Sequence, residues 1–282
     1  MLDLNRIYAM ECIDGMRQMD DESVSVIVTS PPYNIGAPYT MYVDRQPRDQ
    51  YLTLIEKVAA ESHRILHDDG SFYLNIGGSL NDPWLPYDVA NQFRCHYTLQ
   101  NVIHWIKSIS INREDVGAAS RGDQNLSVGH YKPINSKRFH HNCHEYIFQF
   151  TKTGDVELDK LATGVPYQDK TNIRRWDGNQ NRDLRDRGNA WFIPYATVSG
   201  ARQHPTTFPV NLPTMCLKDH GVAKIDLVLD PFIGIGTTAL ACIDLSLNYI
   251  GFDIDPAYVE LATEATRRMR ASVETYPELP AL

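Results

Sequence analysis

The sequence predicts an α/β protein with one sizeable core and polar insertions. Three observations predict it. The run 24–28 (Val-Ser-Val-Ile-Val) has the length and apolarity of a buried strand. Residues 50–66 place Leu54, Val58, Ser62 and Ile65 near one helical face, widened by Leu52, Ile55 and Ala59, and a second apolar run follows at 71–76. Near the C-terminus, the run 225–230 leads through a glycine-rich turn into a helix beginning at 239–243. Length agrees: 282 residues suffice for one α/β core plus insertions.

The first strand ends in Thr29-Ser30-Pro31-Pro32-Tyr33-Asn34. Proline fixes φ and lacks an N–H, and the residue before a proline is pushed out of the helical region. The carbonyls of Ser30 and Pro31 are therefore held in place beside residues that cannot pair with them. Such a rigid cup accepts hydrogen bonds from a flat amino group, with Tyr33 stacking on its ring and Asn34 shaping the rim. That arrangement suits chemistry on the exocyclic amine of a nucleobase. The helix over 50–66 is expected to stop at Asp68-Asp69-Gly70, before the strand 71–76. A short helix over 86–93 and a strand over 99–107 come next. Residues 108–142 are mostly polar and lack periodicity, which is long for a compact connection. A strand over 146–150 precedes a second loop-like stretch, 151–188. Trp191-Phe192-Ile193-Pro194 is a stiff apolar return to the core, and Asn211-Leu212-Pro213 starts a further helix.

The C-terminal turn reads Pro231-Phe232-Ile233-Gly234-Ile235-Gly236-Thr237-Thr238. Glycines let the backbone approach a ligand closely, and the N–H groups of the following helix start face it. The next strand, 248–252, ends in Asp253, an acidic residue placed to hold a ribose diol. A dinucleotide fingerprint needs a third glycine, and a triphosphate loop needs a lysine after the glycines. Neither is present.

Ser-Pro-Pro-Tyr after a strand resembles the catalytic signature of the amino-methylating DNA methyltransferases, and Asp-Pro-Phe-x-Gly-x-Gly-Thr-Thr resembles their S-adenosylmethionine loop. The catalytic motif comes first and the cofactor motif last, the order of the beta group of that family. The resemblance runs from about Leu4 to Met269 and is weakest in the middle. It implies a Rossmann-like S-adenosylmethionine-dependent methyltransferase fold, circularly permuted, with inserted DNA-recognition loops. The catalytic half would occupy 1–154, with an insertion near 109–143. The target-recognition region would be 155–203 and the cofactor half 204–282. Ser30, Pro31, Pro32 and Tyr33 would be catalytic. Asp230, Phe232, Gly234, Gly236, Thr237, Thr238 and Asp253 would bind the cofactor. His204-Pro205-Thr206-Thr207-Phe208-Pro209 resembles the family segment leading into the helix beside the cofactor, with Phe208 on the methionine side and His204 a local hydrogen-bonding residue. Met10-Glu11-Cys12 resembles the family's Gly-Asp-Cys, with Glu11 beside the adenine or simply a surface carboxylate.

The reaction implied is direct methyl transfer to an exocyclic amine. Ser30 and the Pro31 carbonyl would accept the amine hydrogens and localise its lone pair for in-line attack. Neither a metal nor a covalent enzyme intermediate is needed. The base would be flipped out of duplex DNA. Serine at the first motif position leans toward cytosine and N4-methylcytosine; the alternative is adenine and N6-methyladenine. A non-catalytic DNA-binding relic and an RNA methyltransferase are the rival classes. The intact Ser30, Tyr33 and glycine loop speak against the first.

Net charge is −8, so DNA contact must be local. Between 130 and 144 stand Lys132, Lys137, Arg138 and four histidines without an acidic residue. Between 173 and 188, Arg174, Arg175, Arg182, Arg185 and Arg187 stand against three aspartates. Both stretches are expected to contact double-stranded DNA through phosphates and base edges. The family implies a cognate restriction endonuclease acting on the same site. His140-His141-Asn142-Cys143-His144 packs four potential ligands into five residues, too close together to converge on one tetrahedral zinc. Five scattered cysteines point to free thiols in a reducing cytosol. No secretory signal is apparent, and no apolar run approaches the roughly 20 residues that cross a bilayer. The protein is therefore expected in the cytoplasm.

Overall fold

The computed structural model describes residues 2–116, 125–129, 136–167, 183–194 and 207–275. Ten strands and six α-helices are defined among them. In chain order these are β1 (Arg6–Ala9), α1 (Cys12–Met16), β2 (Val24–Thr29), α2 (Arg48–Ile65), β3 (Leu66–Ile76), α3 (Leu85–Gln92), β4 (Thr98–Ile106), β5 (Ser108–Ile111) and β6 (Leu126–Gly129). They continue as β7 (His144–Thr151), β8 (Ala190–Phe192), α4 (Asn211–His220), β9 (Leu227–Asp230), α5 (Thr237–Asp244), β10 (Asn248–Asp253) and α6 (Pro256–Thr275).

Eight strands form one sheet in the order β1-β10-β9-β2-β3-β7-β4-β8. All run parallel except β7, which is antiparallel to both neighbours. The central strands show why. Every residue of β2 and of β9 is buried, as expected of parallel strands covered on both faces. Alternation sends Ile27, Phe72, Leu74 and Leu229 to one face, where they meet Tyr51, Ile55 and Val58 of α2 and Val89 of α3. Val26, Val28, Tyr73 and Val228 go to the other, against Leu212 and Cys216 of α4, Ala239 and Cys242 of α5 and Ala262 of α6. Helices on both faces of a mostly parallel sheet make the Rossmann-like fold expected.

The expected elements recur with small shifts. The stop at Asp68-Asp69-Gly70 is a bulge inside β3, not a turn before it. Val24 pairs with Leu66 and Val26 with Ser71, so the extra residues loop out opposite Ser25. A Cβ on Gly70 would lie 2.8 Å from the Ser25 carbonyl, which only glycine tolerates. The polar stretch after β4 contains a hairpin, β5 paired antiparallel with β6.

Asp219, at the end of α4, is buried and accepts from the Tyr73 hydroxyl at 3.0 Å. Burial raises its pKa from 3.8 to about 6. Between these values the folded chain holds a proton that the unfolded chain has released, so stability is lost as pH rises through about 6. Asp219→Asn keeps an acceptor for Tyr73 and cannot ionise. Its melting temperature should gain on the parent between pH 5 and 8, by up to about 3 kcal/mol in stability. Parallel melting curves across that range would show that burial of this charge carries no cost.

Candidate active site

Strand order reverses between β2 and β9, which pair through Val26–Val228 and Ile27–Leu229. From β2 the chain crosses to β3 on one side, and from β9 to β10 on the other. Loops leaving the carboxyl ends of such a pair diverge and open a crevice. The Ser30 cup leaves one strand of the pair and the glycine turn leaves the other. Two motifs 200 residues apart in sequence are thereby neighbours, and a direct bond joins them: Thr29 Oγ1 donates to Asp230 Oδ1 at 2.6 Å.

Asp230 is 1% exposed. It also accepts from Phe232 N at 3.0 Å and Thr238 Oγ1 at 2.6 Å, so one carboxylate ties β2, the turn and α5 together. Burial pushes its pKa up to about 6, against the pull of those donors. Gly234 and Gly236 have φ of 52° and 89°, left-handed values that a side chain disfavours. Gly236 caps α5 in that conformation. The Gly234 N–H donates to Asp253 Oδ2 at 3.1 Å, and Asp255 N donates to Asp253 Oδ1 at 2.8 Å. Burial raises the Asp253 pKa as well.

A cavity of about 300 Å³ lies in the crevice. Among the residues anticipated from the sequence, Glu11, Ser30, Pro32, Phe208, Phe232, Gly234, Thr237 and Asp253 line it. Pro31, Tyr33, Asp230, Gly236 and Thr238 do not; the last three shape the turn from behind. Glu11 is the N-cap of α1, its Oε2 accepting Ile13 N at 2.9 Å and Asp14 N at 3.2 Å, while still facing the cavity. His204 lies outside the described residues.

Other lining residues carry no local signature in sequence. Tyr39, Met41 and Tyr42 come from the loop after the cup. Asp44 shapes that loop by accepting the N–H groups of Asn34, Ile35 and Ala37 at 2.7, 3.2 and 2.8 Å. Asn34 has a left-handed φ of 56°, and its side chain exchanges two hydrogen bonds with the Gln46 backbone. It thus fixes the loop that follows the cup. Two buried polar atoms of the lining have no partner among the described residues, Tyr42 Oη and Asp255 Oδ2. A cavity of this kind fits S-adenosylmethionine. Its lining is mostly apolar, with Glu11, Asp253 and Asp255 as acidic acceptors and two buried polar atoms that a polar ligand can satisfy.

Beside the cavity, Ser30 Oγ donates to Tyr33 Oη at 3.0 Å, and Tyr33 lies 3.0 Å from Glu145 Oε2 and 3.3 Å from Asn75 Oδ1. The Tyr33 ring packs partly buried against the core. Burial and the Glu145 charge hold its pKa well above the usual phenol value, so it stays protonated. The Pro32 carbonyl accepts from Tyr51 Oη at 2.8 Å, whereas no described residue donates to the Pro31 carbonyl.

The basic residues separate by topology. β4 ends and β7 begins at the edge of the sheet that carries Ser30, so Lys137 and Arg138 lie on the insertion above that edge. Asn142 Nδ2, from the same segment, bonds the Gly78 carbonyl at 3.2 Å. Arg185 and Arg187 are elsewhere, contrary to the expected single basic face. They lie just before β8, which pairs with β4 on the side away from β7. Arg185 bridges to Val165, and Arg187 Nε donates to the Thr163 carbonyl at 2.8 Å. Asn189 Nδ2 bonds the Val102 carbonyl at 2.9 Å, midway along β4. Lys132, Arg174, Arg175 and Arg182 lie outside the described residues.

A family model of N6/N4-type DNA methylases matches residues 24–264. The chain belongs to this family of DNA amino-methyltransferases. The Type II methyltransferase M.XycI of Xanthomonas campestris pv. cyanopsidis is 29% identical, over 95% of this chain and 89% of its own length. The PvuII DNA methyltransferase, described as cytosine-N4-specific, superimposes with a TM-score of 0.62 at 16% identity, covering 95% of this chain and 92% of that one. A Thermus thermophilus protein solved with S-adenosyl-L-methionine gives 0.58 at 21% identity, covering 94% and 93%. This methyltransferase uses S-adenosylmethionine. No helix among its described residues is long and apolar enough to cross a membrane.

Proposed function

We propose that this methyltransferase is site-specific and transfers the methyl group to N4 of cytosine in double-stranded DNA, as one partner of a restriction-modification pair in the cytoplasm. The observation that carries the reading is Ser30 at the cavity rim with its proton committed to Tyr33, which leaves its lone pairs to accept from an amine. The Type II name of M.XycI supports the restriction-modification part of the reading, and the serine at the first motif position supports the cytosine part.

S-adenosylmethionine supplies an activated methyl group when bound. The chain's residues do the rest. Asp253 and Asp255 accept from hydroxyl or amino groups at one end of the cavity, Glu11 and Tyr42 present polar atoms, and Phe208 and Phe232 enclose the apolar part. Ser30 Oγ and the Pro31 carbonyl accept the two hydrogens of the target amine. Its lone pair, otherwise delocalised into the ring, would then be localised for attack on the methyl carbon, the sulfur of the cofactor leaving with the S–C electrons and the methylated amine releasing one hydrogen as a proton to solvent. Tyr33 offers its ring as a stacking surface for a flipped base. Lys137 and Arg138 contact phosphate at this edge, and residues 155–203 form a target-recognition region.

Plasmid DNA from cells expressing the protein, digested to nucleosides and analysed by mass spectrometry, should contain N4-methylcytosine. N6-methyladenine in its place would refute the cytosine assignment and leave the amino-methyltransferase intact.

A further inference from the structure

We propose that Glu145 is a positioning residue for methyl transfer: anchored by Lys107, it sets the direction of the hydroxyl chain Ser30–Tyr33 and so presents Ser30 to the target amine as a pure acceptor. The proposal rests on the assignment of Ser30 as amine acceptor. Glu145 is the second residue of β7, the strand antiparallel to its neighbours in the eight-stranded sheet, whose start lies at the edge carrying Ser30. Its Oε1 forms a salt bridge with Lys107 Nζ at the end of β4, and both side chains are largely withdrawn from solvent. Its Oε2 receives Tyr33 Oη at 3.0 Å and Asn75 Nδ2 at 3.2 Å. Asn75 Nδ2 also holds the Tyr146 carbonyl at 3.2 Å, which fixes the amide's orientation. The backbone leaves room for the carboxylate: a Cβ on Gly77 would stand 2.7 Å from Glu145 Cγ.

The chain has only one polarity. A carboxylate paired with an ammonium group has no proton to give, so it accepts from Tyr33. Tyr33 directs its single hydrogen to Glu145 Oε2 at 3.0 Å, with Asn75 Oδ1 at 3.3 Å as a second, longer acceptor, and offers Ser30 only lone pairs. Ser30 therefore donates to Tyr33 at 3.0 Å, and its lone pairs stay available at the cavity it lines. An aligned chain ending on a charge is also stronger than its separate bonds. Phenylalanine at position 33 would keep the ring and lose this control, so the tyrosine hydroxyl has a role apart from stacking.

Glu145→Gln tests this without changing shape. Lys107 can only donate, so it captures the amide oxygen and turns the amide NH₂ toward Tyr33. Tyr33 then loses its charged acceptor and keeps only Asn75 Oδ1 at 3.3 Å, so its hold on the Ser30 proton weakens. The single-turnover methyl-transfer rate should fall roughly 10- to 100-fold, the weight of one charge-assisted hydrogen bond. Affinities for S-adenosylmethionine and DNA should stay within about threefold, because the defect lies in the chemical step. Tyr33→Phe should show a similar loss, and the double variant should be no slower than the slower single, since both cut one chain. A normal rate in Glu145→Gln, or losses that multiply in the double variant, would overturn the proposal. Ser30→Ala separates the two ideas. A normal rate there overturns the acceptor role itself, whereas a crippled Ser30→Ala beside a normal Glu145→Gln removes only the positioning role.

Discussion

Ser30→Ala should slow methyl transfer by roughly 10²–10⁴-fold, the range for a positioned group that manages a proton in the transition state. The target amine is conjugated with its ring and is a poor nucleophile until its hydrogens are held. Of the two proposed acceptors, Ser30 Oγ at the cavity and the adjoining Pro31 carbonyl, alanine removes the first. Asp230, Asp253 and the glycine turn do not depend on the Ser30 side chain, so cofactor affinity should persist. Tyr33→Ala should be comparably damaging for two reasons. It removes a stacking surface worth about 1–3 kcal/mol per base, and it removes the hydroxyl that receives the Ser30 proton. Single-turnover incorporation of labelled methyl groups, beside melting curves for each variant, is the measurement. A Ser30→Ala enzyme at the parental rate would place the amine elsewhere.

The parts of this site that were legible in sequence are those built by consecutive residues. A strand that ends in Ser-Pro-Pro-Tyr and a strand that ends in a glycine turn each announce their geometry locally, because proline and glycine restrict the backbone wherever they occur. Their adjacency was not local. It depends on β2 and β9 pairing across 200 residues, and the Thr29–Asp230 bond reports it only once the sheet is formed. Asp230 shows the resulting ambiguity. An aspartate before a glycine turn looks the same whether it binds a ligand or braces the turn, and here three internal donors occupy it. Asn75 and Glu145 were invisible for the same reason, being polar residues near strand ends whose importance comes from the reversal of β7. The strand β1 escaped notice because four residues carry little periodicity. It forms by pairing with β10, more than 200 residues further on. The separation of Arg185 and Arg187 from the Ser30 edge was not legible, because charge clustering carries no information about which edge of the sheet a loop leaves.

Asp253→Ala should weaken S-adenosylmethionine binding by roughly 10- to 100-fold, the cost of losing hydrogen bonds to a charged acceptor. Asp253 stands at the carboxyl end of β10, where the acidic residue of a nucleotide-type crevice meets a ribose. It lines the cavity, yet both oxygens already accept backbone N–H groups, from Gly234 and Asp255. A carboxylate oxygen has room for a second donor, so the same group can brace the glycine turn and hold the ligand. Alanine removes both functions, whereas Asp253→Asn keeps an oxygen for one of the backbone donors and should fall between alanine and the parent. Calorimetric titration of each variant with S-adenosylmethionine measures the loss. DNA binding without cofactor serves as the control and should be little changed, because the basic residues at the Ser30 edge belong to the insertion between β4 and β7. Unchanged cofactor affinity in Asp253→Ala would move the ribose away from β10, with Asp255, whose Oδ2 is buried and without a described partner, as the next acceptor along the same wall.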